Sequence, residues 1–86
     1  MKVIHPSLFL VMKIFPGHKN ALQQMYQQSE SFKALCESYQ ECSNALNHWA
    51  KSKNGQAPER HREYAALLQE LEQEIIESLE QKRQQG

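Results

Sequence analysis

Long apolar runs are missing from this chain of 86 residues, and with them the means to cross a bilayer. The nearest approach is the opening MKVIHPSLFLVMKIF, whose unbroken run Leu8 to Met12 is too short for a signal-peptide core. Phe15, Pro16 and Gly17 stand where small cleavage-site residues would be needed. Cysteine is scarce: Cys36 and Cys42 are too few for a disulfide framework, so a cytoplasmic protein with reduced thiols and no membrane contact is expected. Three Gly and three Pro are few, which favours long helices over turn-rich sheets. Neither charge sign dominates, because 10 basic residues balance 10 acidic ones, and this weakens any generic nucleic-acid role. There is no Gly-rich phosphate loop, no nucleophile elbow, no HExxH and no CxxC, so the sequence offers no catalytic residues, cofactor site or metal site.

What is present is helical periodicity. Phe32, Leu35, Tyr39, Cys42, Leu46 and Trp49 alternate in gaps of three and four, which puts them on one helical seam. A second seam runs Tyr64, Leu68, Leu71, Ile75 and Ser78, flanked by Leu67, Ile76 and Leu79. Glu70, Glu72, Glu74, Glu77 and Glu80 decorate its other faces. Between the seams, Ser52-Lys53-Asn54-Gly55 supplies a stop, with Asn-Gly as a left-handed exit. The expected organisation is an apolar N-terminal arm over 1–15 and an all-α, antiparallel two-helix hairpin over 16–83. Its parts are a helix over 16–51, a loop over 52–57 and a helix over 58–83. Pro16 and Pro58 suit first helical turns, and Lys82 and Arg83 suit a helix C-terminus. The polar run 27–31 predicts a kink or brief break, with Ser29 or Ser31 as a cap. Pro6 argues against one continuous helix from the start, so Val3-Ile4 and Leu8 to Phe15 are readable as strands, an extended arm or a helix.

The apolar stripe, including Leu22 and Met25, is wider than a simple pair of helices needs. A homodimer forming a four-helix bundle is therefore the favoured assembly, with a self-sufficient hairpin capped by the arm as its rival. From Phe15-Pro16 through Leu22, the Phe32-x-x-Leu35-x-x-x-Tyr39 stretch and a Gly-containing loop to Leu68, Leu71, Ile75 and Leu79, the chain resembles the YdcH-like family of small bacterial proteins of unknown function. The resemblance spans residues 15 to 80 and implies a helical hairpin, with no catalytic residues to carry over. Cys36, Cys42, Trp49 and about fifteen additional N-terminal residues depart from the family pattern. The resemblance also implies Met12 as an alternative start, with residues 1–11 added by upstream initiation.

Three functional readings follow. The first is a non-catalytic interaction or assembly module that meets an as yet unidentified protein partner through Leu8, Phe9, Phe15, Leu22, Met25, Phe32, Tyr39, Trp49, Leu68 and Ile75. The second is nucleic-acid or anion binding at a basic hairpin tip of Lys51, Lys53, Arg60 and Arg62, with His48, His61 and Trp49 nearby. The third is metal or thiol-redox sensing. It is disfavoured because Cys36 and Cys42, six apart, fall about 120° short of facing each other on a helix. Cys42 reads as a seam residue, and Cys36 as an edge residue able to meet its copy in a dimer. The metal version would use His48 and His61, which flank the loop, together with Cys42 or Glu63, and it is disfavoured because no such ligand pair has the i,i+4 helical spacing.

Overall fold

The computed structural model describes residues 5–85, with side chains as far as Gln81. Every regular element among the described residues is helical. Val3-Ile4 lies outside them, as do the side chains of Lys82 and Arg83. Helix α1 spans Pro6–Ile14, a 3-10 turn Pro16–His18, α2 Lys19–Gln28, α3 Glu30–Lys51 and α4 Ala57–Gln85.

The N-terminal arm is thus a helix. Pro6 occupies its first turn, where a missing N–H costs nothing. The imidazole of His5 caps it: Nδ1 accepts the Ser7 backbone N–H at 3.2 Å and lies 2.7 Å from Ser7 Oγ. Leu8, Val11 and Met12 are buried in one cluster with Leu22, Phe32, Cys36, Tyr39, Cys42, Leu71 and Ile75. The arm is therefore part of the core.

The helix expected over 16–51 is interrupted at both its start and its middle. Pro16–His18 forms a separate 3-10 turn, and Ser29 adopts an extended backbone (φ −126°, ψ 117°) between α2 and α3. Ser29 Oγ accepts the Phe32 N–H at 3.1 Å, while the Ser29 N–H donates to the Met25 carbonyl at 2.9 Å. One serine therefore closes the outgoing helix and opens the next, which makes the expected break a true end of a helix. It also shortens the first long rod: α3 has 22 residues, or roughly 33 Å at 1.5 Å each. Helix α4, with 29 residues, sets the long dimension of a body measuring 48 × 31 × 22 Å.

The connection between α3 and α4 also differs from expectation. No described residue, glycine or otherwise, has a positive φ, so Asn54-Gly55 makes no left-handed exit. Side chains hold the turn instead. Ser52 Oγ accepts the Asn54 N–H at 3.1 Å and Asn54 Oδ1 accepts the Gln56 N–H at 2.9 Å. The Asn54 carbonyl then takes the Ala57 N–H at 3.0 Å. Along the paired helices, Tyr39 meets Glu72, whereas Cys42, further along α3, meets Tyr64, further back along α4.

Candidate interaction surfaces

The core explains where the expected interface residues go. Leu8, Leu22, Phe32, Tyr39 and Ile75 are buried within this chain, so their apolar surface is already used. Phe15, Met25, Trp49 and Leu68 are half-buried, and Phe9 is exposed. Cys36 is a correction. Read as an edge residue, it is fully buried, because α1 packs on the flank of α3 about 60° round from Tyr39. Leu35, Leu46 and Trp49, read as equal members of the seam, are only half-buried.

Glu72 was grouped with the solvent-facing acids, but it is half-buried and accepts the Tyr39 O–H at 2.7 Å. This short, charge-assisted bond ties α3 to α4 across the apolar seam. Burial first, then the Glu72 carboxylate, raises the Tyr39 hydroxyl's pKa. Glu72 is one residue from Leu71 and borders the buried stripe, but so do Glu70 and Glu74, and the sequence alone does not single it out.

The thiols are chemically quiet. Burial first, and the neighbouring charge of Glu37 second, push Cys36 up to about 12. Burial also raises Cys42, whose S–H donates to the Tyr64 carbonyl at 3.2 Å. Both are free thiols held in the protonated, unreactive form. Among the described residues, no three His, Cys or Glu side chains gather as a metal site.

Two concave surfaces stand out among the described residues. At the α3–α4 end, an open hollow of about 710 Å³ brings Trp49, Lys53, His61 and Arg62 together around Pro58. Of the four basic tip residues, Lys53 and Arg62 line this hollow. Arg60 turns to Glu63 at 3.1 Å, and Lys51 lies exposed in the last turn of α3. His48 stands edge-on to Trp49 with ring centres 5.2 Å apart. The second surface, a groove of about 590 Å³, lies where the α2–α3 junction faces the C-terminal half of α4. Met25, Phe32 and Leu35 supply its apolar lining, and Glu74 and Glu77 its charges.

No family model, curated protein or solved structure matches this chain. Function must therefore be argued from these surfaces.

Proposed function

We propose that the chain is a small cytoplasmic, non-catalytic assembly module, built on an antiparallel α3–α4 hairpin and active through contact with another protein surface, a homodimer being the smallest such assembly. One observation carries this reading. The core is closed by the chain's own α1, yet Phe9, Ile14 and Leu67 stay exposed at 51, 37 and 42%. Two of these lie on α1, whose sequence PSLFLVMKI is apolar nearly all round, a pattern suited to burial on every side. The order of the Tyr39–Glu72 and Cys42–Tyr64 contacts supports the hairpin, and the likeness to YdcH-like proteins agrees with it. Exposed carboxylates and protonated thiols give catalysis nothing to work with. The test is a pair of surface variants, Phe9→Ser and Leu67→Ser, assayed for association by light scattering and for folding by circular dichroism. Both are expected to stay folded and to lose association. Association unchanged in both would overturn the reading.

A second reading rests on the tip. Two cations beside Trp49 and His61 in one hollow suit a phosphate with a stacked base. Single-stranded RNA binding that falls steeply with added salt, and weakens in Lys53→Ala and Arg62→Ala, is its expected signature. Absence of binding at low salt removes it.

A further inference from the structure

The exposed apolar residues divide between surfaces of opposite charge. On α1, Phe9 and Lys13 are one turn apart, with the Lys13 ammonium 5.2 Å from the Phe9 ring centre. Ile14, in the last turn of α1, is exposed beside them, whereas Leu10 is half-buried against the core. No carboxylate occurs before Glu30, so this stripe is purely basic and apolar.

The groove beside α4 is its opposite. Met25, Phe32 and Leu35 line it, and the rim carries Glu74 and Glu77. Leu67 lies two turns back along the same face of α4 as Glu74, outside the groove, with Glu63 and Glu70 on either side. The ion pairs among the described residues are Lys33–Glu30 and Arg60–Glu63, so neither Glu74 nor Glu77 has a cation partner there. Pairing two such grooves would set carboxylate against carboxylate, and pairing two α1 stripes would set Lys13 against Lys13. Like charges in apposition disfavour both.

We propose that the occupant of the acidic groove is α1 of a second copy of this chain, with Phe9 and Ile14 entering over Met25 and Leu35 and Lys13 meeting Glu74 or Glu77. The mode is a short helix laid in a groove, with apolar anchors and a charged rim that fixes its direction. This deepens the assembly reading and rests on it. Each copy offers one α1 stripe and one groove, so two reciprocal contacts close a twofold dimer.

The experiment is sedimentation equilibrium on the full chain and on charge-reversal variants. The wild type is expected to gain mass with concentration and to dissociate as salt is raised. Lys13→Glu, and separately Glu74→Lys with Glu77→Lys, are expected to weaken association about tenfold or more, the rim charges being at stake. All these positions are exposed, so the helical circular dichroism signal should hold. An equimolar mixture of the two variants should associate again, because each supplies the surface the other has lost. A wild type that stays monomeric, or reversed charges that change nothing, overturns the proposal. So does α1-dependent binding to anionic vesicles in place of self-association. A monomeric wild type that binds some other protein through Phe9 and Leu67 ends this inference and leaves the assembly reading standing. Association insensitive to Lys13→Glu, Phe9→Ser and Leu67→Ser ends both.

Discussion

Cys36 shows how a single side chain is set by elements its own helix does not contain. It sits about 120° round α3 from Cys42, which correctly separates the two thiols. Spacing alone cannot say that another helix covers that flank, and the one that does begins thirty residues upstream at Pro6. Its titration carries a consequence. The folded-state pKa is raised to about 12 from an ordinary thiol value of 9.0, so folding favours the protonated form. That stabilisation is complete below pH 9 and is lost as the pH climbs from 9 towards 12, at about 1.4 kcal/mol per pH unit for one such group. Urea midpoints measured through this range should fall in the wild type and fall less steeply in Cys36→Ala. An equal slope in both would mean the thiol is not protected. Tyr39 adds to the same alkaline loss, since its hydroxyl is raised as well. Its partner Glu72 was hidden among five similar glutamates. Glu70 also adjoins Leu71 and Glu74 adjoins Ile75, so adjacency to the stripe does not fix which acid bends inward.

The elements were legible where punctuation residues stand alone and less so where the chain had alternatives. Pro6, Pro16 and Pro58 each lie in the first turn of a helical element, as their fixed φ and missing donor dictate. The break in 27–31 was readable, and Ser29 was one of two candidates for it. The apolar segment 8–15 was not, because a run this short has no decisive period. Asn54-Gly55 misled, since a side-chain turn at Asn54 satisfies the same backbone groups without left-handed geometry. Ser29→Ala should cost about 1 kcal/mol by removing the cap on Phe32, read as a lower urea midpoint with an unchanged slope. Gly55 has neither a positive φ nor any neighbour within 4 Å of an added methyl. Gly55→Ala should therefore stabilise by about 0.4–1 kcal/mol through the unfolded state, by the same measurement. A loss there would mean the loop needs glycine after all.

At the scale of the whole molecule, α1 is an integral part of the core. Leu8, Val11 and Met12 are buried in one cluster with residues of α2, α3 and α4, and α1 itself packs on α2 and α3. A chain beginning at Met12 lacks Leu8 and Val11, each worth about 1.5–3 kcal/mol of burial, and most of the nine-residue helix that held Met12 in place. Against a total near 5–10 kcal/mol for a domain of this size, such a chain should melt at much lower temperature and bind a hydrophobic dye. A cooperative melt matching the full chain would show that α1 is dispensable. Placing the core in the first helix also has a bearing on synthesis. At 5–20 residues per second, the ribosome finishes α3 about two to seven seconds after α1 has been made. Through that interval a nearly all-apolar segment waits without the surface that will cover it. Burial of Leu8, Val11 and Met12 is thus a late event in the life of a nascent chain, completed only once α3 can pack on α1.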